Sequence, residues 1–198
     1  MSRLILASAS LSRQRMLTAA GVAFRVVPAN LDEAGLIAGL WDKGAEAEEV
    51  ATALAAEKAM VVSRRTPGAL VLAGDSVLAL EREIISKCES LPALKLLLMR
   101  LSGQTHRLIS AASLARNGKE IWQYTGVAQL TMRRLSEAFV DAYLAAEGQA
   151  LLSSVGGYHY EGRGAQLFAA VEGDAFTIMG LPLLQVLAAL REEGILPA

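Results

Sequence analysis

The sequence lacks most of the features that announce a chemistry. One cysteine, Cys88, allows no internal disulfide, and two histidines are too few for a zinc centre of the usual Cys/His ligand count. A reducing compartment therefore suits the chain. Neither sign of charge is in excess: 19 Lys and Arg stand against 20 Asp and Glu, with no run of like charges. That balance excludes the broad basic footprint of a duplex-DNA binder and leaves any anionic partner to a local cluster. Long apolar runs are missing too. The longest uncharged stretch, Ala175 to Leu190, is interrupted by Gly180, Pro182 and Gln185 and falls short of the roughly 20 apolar residues of a membrane span. Leu4 to Ala7 is shorter than the roughly 7–15 apolar residues of a secretory signal, so the expectation is a cytoplasmic protein that binds neither membrane nor nucleic acid. There is no Walker-type loop, and Gly162-Arg163-Gly164, the nearest approach to a dinucleotide fingerprint, has no third glycine and no strand before it. Aromatic residues are only 5% of the chain, and Trp41, Trp122 and the tyrosines show no motif-like spacing, which makes packing the default role for all of them except Tyr158.

What is present is enough apolar sequence, 53% of 198 residues, to bury a real core, and a regular alternation of elements. Leu4 to Ala7 reads as a strand, followed by a hydroxyl-rich turn, Ser8 to Ser12, and a helix that stops at Gly21. Phe24 to Pro28 reads as a strand leading to an acidic turn, Leu31-Asp32-Glu33. A helix is expected over Glu46 to Arg64, with Thr66-Pro67-Gly68 as its stop. A strand-like run, Ala69 to Ala73, ends at Gly74-Asp75-Ser76 and Val77 to Leu80 continues beyond it, so Asp75 sits inside strand-like sequence. Leu91 to Leu101 suggests a helix and Thr105 to Ala115 a long strand. Asn117-Gly118 is the strongest hairpin signal in the chain, because both central residues of a type I′ turn need positive φ. Lys119 to Met132 would return from it. Ser136 can cap a helix from Glu137 to Glu147, and Pro182 can open a last one ending near Gly194. Helices alternating with strands, one hairpin among them, predict an α/β domain with a mixed sheet, a single domain over residues 1–198.

Function on a sheet is mounted where apolar runs end, and Ser8, Ser10, Arg13, Glu33, Lys58, Asp75 and Lys87 stand at such places. Ser8 and Ser10 ahead of a helix offer hydroxyls and free N–H groups, and Arg13 adds a planar cation one turn on, which suits a phosphate. The same residues also make an ordinary helix cap with a surface arginine. Asp75, between Val71-Leu72-Ala73 and Val77-Leu78, must be paired, exposed at a sheet end or bound to a cation. Taken singly, Asp32 and Glu33 read as a solvated turn, Lys58 and Lys87 as surface lysines, and His106 and His159 as hydrogen-bonding or surface groups.

Five ordered blocks together carry a resemblance. Leu4-Ile-Leu-Ala-Ser-Ala-Ser-Leu-Ser-Arg13, Leu54-Ala-Ala-Glu-Lys-Ala59, Val71-Leu-Ala-Gly-Asp-Ser76, Leu101-Ser-Gly-Gln-Thr-His106, and Val171-Glu-Gly-Asp174 followed by Gly180-Leu-Pro-Leu183 look like the Maf family. The resemblance implies an elongated mixed sheet with two lobes around a cleft, similar to the inosine triphosphatase group. It implies nucleoside triphosphate pyrophosphatase activity, with a divalent cation, Mg²⁺ or Mn²⁺, as cofactor. Carried over position by position, Asp75, Lys58 and Lys87 are the expected catalytic residues. Ser8, Ser10, Ser12, Arg13, Ser76, Tyr158 and Glu161 are expected to bind substrate, and Glu33 and Asp75 to hold the metal. Asp75 could equally be the base that activates water.

Departures from the family pattern bear on the substrate. Ser86 and Cys88 flank Lys87 where glutamate and proline are usual, and Leu11-Ser12 precede a single arginine, Arg13. In Ser154 to Gly162, Glu161 stands where a glutamine is common. These changes, with Gly164 to Phe168, resemble the branch acting on 7-methyl-GTP. A carboxylate can accept two hydrogen bonds from the N1–H and exocyclic amine of guanine, and the positive ring of a 7-methylated base favours it further. The expectation is a nucleoside triphosphate pyrophosphatase, taken also to be a homodimer. A nucleotide-binding regulator of cell division without turnover is the alternative.

Overall fold

The computed structural model describes residues 4–197. Its elements follow in the order β1 (Leu4–Leu6), α1 (Leu11–Ala19), β2 (Arg25–Val26), α2 (Glu33–Trp41), α3 (Ala47–Arg65), β3 (Leu70–Leu80) and β4 (Glu83–Ile85). Then come α4 (Leu91–Leu101), β5 (Thr105–Arg116), β6 (Lys119–Met132), α5 (Glu137–Glu147), β7 (Phe168–Glu172), α6 (Ala175–Ile178) and α7 (Leu183–Glu192). The expected mixed α/β architecture is what the chain adopts. Local chemistry places several of the boundaries. Ser10, Ser90 and Ser136 cap α1, α4 and α5 by accepting from the N–H three residues on. Asn117 and Gly118 both take positive φ, 52° and 76°, and turn β5 back into β6.

Four of these elements are not anticipated from the sequence, the single turn of α6 and three others. α2 begins inside the supposed acidic turn, with Asp32 as its cap through a 3.1 Å bond from the Gly35 N–H. Gly35 and Gly39 lie in its interior, and two poor helix formers in nine residues hide a helix that tertiary packing sustains. β4 follows β3 through a tight turn in which Glu81, not a glycine, takes positive φ. β7 is a short strand added antiparallel to the end of β6. Asp75 sits inside a strand, as expected, but the two strand-like runs on either side of Gly74-Asp75-Ser76 are one strand: β3 runs through these residues paired to β5 without a break.

The seven strands make one sheet in the order β2-β1-β3-β5-β6-β7, with β4 also on β3. β5 takes one side of β3 along nearly all its length. The other side is shared: β1 runs parallel to Leu70–Leu72, and β4 runs antiparallel to Leu78–Leu80. Between them the edge of β3 at residues 73–77 has no partner strand among the described residues. Alternation then assigns the side chains of β3 to two faces. Val71, Ala73, Val77 and Ala79 pack with α3 residues, while Leu70 and Leu72 join α1 and α7, and Leu78 and Leu80 join α4 and α5. On that second face the apolar core is divided into two clusters, and the positions between them on β3 are Gly74 and Ser76. The division falls beside the gap in the edge, which is where a cleft between two lobes is expected. Among the described residues no helix is long and apolar enough to cross a membrane.

Candidate active site

Asp75 is at an odd position of β3, so it points toward α3. A carboxylate buried there needs a cation, and Lys58 supplies it: Nζ lies 2.6 Å from Asp75 Oδ1 and 2.8 Å from Glu33 Oε1. Lys58 and Asp75 are both nearly buried, whereas Glu33, in the first turn of α2, has about half of its side chain in solvent (48%). Breaking a buried pair by removing one partner typically costs about 3–5 kcal/mol, so these two residues hold each other in place. Lys58, ordinary as a single residue on a helix, is thus a buried ammonium between two carboxylates.

Gly74 and Ser76 point to the opposite face, where Arg13 arrives from α1. Arg13 is only 8% exposed, and its donors reach one strand and two turns. Nε donates to the Gly180 carbonyl at 2.7 Å, Nη1 to Ser8 Oγ at 3.1 Å and Nη2 to Ser76 Oγ at 2.9 Å. Burial pushes the guanidinium below its ordinary pKa, while Asp75 and Glu33 pull it back up. A guanidinium remains charged at any working pH even so. Its seat depends on the absence of side chains. A Cβ on Gly74 would lie 3.1 Å from Arg13 Nε, and Gly180, at φ 104°, adopts a conformation that suits glycine alone. Ser8 accepts from the Ser10 N–H as well, and Ser10 from the Arg13 N–H, so the turn between β1 and α1 folds over the cation. The turn is a helix cap, as one of its two sequence readings has it, but the arginine that reading places on the surface is buried.

Five of the expected residues, Ser8, Arg13, Lys58, Asp75 and Ser76, line the unpaired edge of β3 between β1 and β4, and Ser10 and Glu33 adjoin them. Ser12 is committed elsewhere, donating to the Met179 carbonyl at 2.8 Å. Lys87 and Glu161 are exposed, and no hydrogen bond or ion pair joins either to the cluster among the described residues. Lys87 lies two residues past the end of β4, on the rim of the gap opposite β1. Tyr158 belongs to the core instead. It is 4% exposed, its hydroxyl is paired with His106 Nε2 at 2.8 Å, and its ring meets Phe168 edge-on. Its hydroxyl is used within the fold, and packing is the role the structure gives it.

Three residues of the cluster escaped sequence reasoning. Ser110 on β5 bonds to Ser76 Oγ at 2.9 Å and donates to the Thr177 carbonyl at 2.8 Å. Thr177 and Gly180 complete the set. Gly180 sits in a recognised block, but Ser110, fully buried in an apolar strand, looks like a small core residue.

The donor set suits a divalent cation that prefers hard oxygens. Glu33 and Asp75 converge on one point, now met by Lys58, and no hydrogen bond reaches Asp75 Oδ2 among the described residues. No group of three His, Cys, Asp or Glu residues gathers as a closed metal centre among the described residues, so substrate and water oxygens would have to complete the shell. Beside it lie a buried guanidinium and the N-terminus of α1, both of which attract anions. The arrangement can hold a polyphosphate next to a carboxylate.

The sequence profile of the family described as Maf-like protein matches residues 3–193. A 7-methyl-GTP pyrophosphatase of Mesorhizobium japonicum is 48% identical over 192 residues, covering 97% of this chain and 96% of its own. Nucleoside triphosphate pyrophosphatase 1 of a Jannaschia species is 47% identical over 98% of both chains. Among solved structures, a nucleoside-triphosphatase, dITP/XTP pyrophosphatase, from Mycobacterium abscessus aligns with 67% of this chain and 73% of its own at a TM-score of 0.38 and 20% identity.

Proposed function

The chain belongs to the Maf-like protein family, and from that premise we propose that it is a nucleoside triphosphate pyrophosphatase. A water oxygen attacks the α-phosphorus, the bond from that phosphorus to the bridging oxygen breaks, and pyrophosphate leaves a monophosphate behind. The observation that carries the reading is the Lys58–Asp75–Glu33 cluster on the open edge of β3, with Arg13 and the N-terminus of α1 beside it. Phosphoryl transfer asks a protein for positioning and charge more than for covalent chemistry. Arg13, Lys58 and, from the far rim, Lys87 offset the phosphate charge. Ser8, Ser10 and the α1 N–H groups orient the phosphates.

A Mg²⁺ or Mn²⁺ ion held by Glu33 and Asp75 would neutralise phosphate charge as the bond breaks. Asp75 either gives a carboxylate oxygen to that ion or takes up the proton of the attacking water, and both roles depend on its charge. Glu161, exposed in the segment before Gly162, reads the base, and a carboxylate there favours a guanine, 7-methyl-GTP above all. The proposal includes a homodimer in the cytoplasm, where a single free cysteine is in keeping with a reducing setting.

The test is a panel of canonical and modified nucleoside triphosphates, 7-methyl-GTP, dTTP and UTP among them, with Mg²⁺ or Mn²⁺ and with products separated. Monophosphate and pyrophosphate are expected, with 7-methyl-GTP turned over fastest. Release of orthophosphate would overturn the reaction, and binding without turnover would make the protein a regulator.

A further inference from the structure

The hydroxyls behind Asp75 have one arrangement of protons available to them. Ser110 Oγ lies 2.8 Å from the Thr177 carbonyl, which can only accept, so the Ser110 proton points there. Ser110 and Ser76 are 2.9 Å apart, and a hydrogen bond between them needs a proton from one of the two. Ser110 has spent its own. Ser76 must therefore donate to Ser110, and it also accepts from Arg13 Nη2. The direction runs one way, from Arg13 to Ser76 to Ser110 to the Thr177 carbonyl. It closes into a ring, because the Gly180 N–H donates to the same carbonyl at 3.1 Å and the Gly180 carbonyl accepts from Arg13 Nε.

This ring joins α1, β3, β5 and the turn after α6, across sequence separations of up to 167 residues. The backbone makes room for it. Ser110 pairs across the sheet with Gly126, and a Cβ on Gly126 would lie 2.6 Å from Thr177 Oγ1. Any side chain there would push Thr177, and with it the end of the chain of hydroxyls, away from Ser110.

We propose that Ser110 is a positioning residue: by taking the Ser76 proton it fixes Ser76 Oγ as an acceptor toward the cleft, so that Ser76 orients the attacking water and binds no phosphate oxygen. An anionic phosphate oxygen needs a donor, and Ser76 has no proton left to give. A water molecule can donate to the remaining lone pair. The inference rests on the pyrophosphatase reading and gives Ser76 a narrower role within it.

The experiment compares Ser76→Ala, Ser110→Ala and the double variant with the wild-type protein. It measures kcat and KM on the best nucleoside triphosphate, and the Kd of α,β-methylene GTP, which cannot be cleaved at the scissile position. Each single variant should lose about 10-fold or more in kcat, equivalent to roughly 1.4 kcal/mol of transition-state stabilisation. KM and Kd should stay within about two-fold of wild type, and the double variant should be no slower than Ser76→Ala, since Ser110 acts only through Ser76. Wild-type kcat in folded Ser110→Ala, losses that multiply in the double variant, or a Kd weakened about 10-fold in Ser76→Ala would each overturn the proposal. Should Ser110→Ala fail to fold, Ser76→Ala at its half-buried position decides through the split between kcat and Kd. Absence of turnover in the wild-type protein would refute the pyrophosphatase reading itself, a separate outcome.

Discussion

At the scale of the residue, Asp75 carries the most. A lone carboxylate in an apolar strand left three options open in the sequence, and the structure selects pairing, with Lys58 as the partner. Asp75→Asn keeps the shape and an oxygen for Lys58 to donate to, while Lys58 retains Glu33, so the fold should stand. What it removes is the charge that either a metal bond or proton acceptance requires. Turnover should fall by about 10²–10⁴-fold, the contribution typical of a general base. Steady-state kinetics alongside a thermal melt checks this, and a folded variant with nearly full activity would show that Asp75 does no chemistry. Lys58 shows the limit of reading residues singly: nothing local distinguishes it from the solvated lysines of other helices.

At the scale of the element, β3 organises the site because alternation sends neighbours to opposite faces. Asp75 meets α3 while Gly74 and Ser76 meet Arg13, so one continuous strand presents acidic and basic chemistry on its two sides. Glycine in a strand interior normally weakens it, and alanine would be the better strand residue. Here a Cβ would approach Arg13 Nε at 3.1 Å, the Ala111 carbonyl at 3.2 Å and Leu181 Cδ1 at 3.3 Å. Gly74→Ala should therefore lose about 1–3 kcal/mol of stability through overpacking and reduce kcat/KM by displacing the guanidinium. Denaturant melts and kinetics on the same sample report both, and a stabilised, fully active variant would mean that Arg13 does not depend on this glycine. The hairpin at Asn117-Gly118 is the opposite case, legible from two residues because its geometry is local.

At the scale of the whole molecule, the burial of His106 ties global stability to pH. Burial pushes the His106 pKa down from 6.5 to about 4. Below pH 6.5 the unfolded chain takes up a proton that the folded one refuses until about pH 4. Stability is therefore lost as pH falls through that window, by up to about 3 kcal/mol from this group. Urea melts from about pH 7 to about pH 4 should show a shallower loss for His106→Gln than for the wild-type protein, because an amide does not titrate. Equal slopes would place the acid sensitivity in other groups.

The sequence by itself determined the class of fold, the order of most helices and strands, the hairpin, and which residue types were available for chemistry. Those properties follow from the period of the backbone, from caps and from turns, each contained within a few residues. α2, β4, β7 and α6 escaped because their local signals are weak: Gly35 and Gly39 mask a helix, Glu81 stands where a glycine marks a turn, β7 exists only beside β6, and α6 is a single turn of four residues. Only the tertiary structure decided which chemical groups meet. It seated Lys58 between Glu33 and Asp75, turned the Tyr158 hydroxyl inward to His106, and recruited Ser110, Thr177 and Gly180 to Arg13 and Ser76. The reason is that a buried charge or hydroxyl takes its partner from whatever face is packed against it, and which faces pack together is settled by the assembled sheet and not by neighbours in the chain.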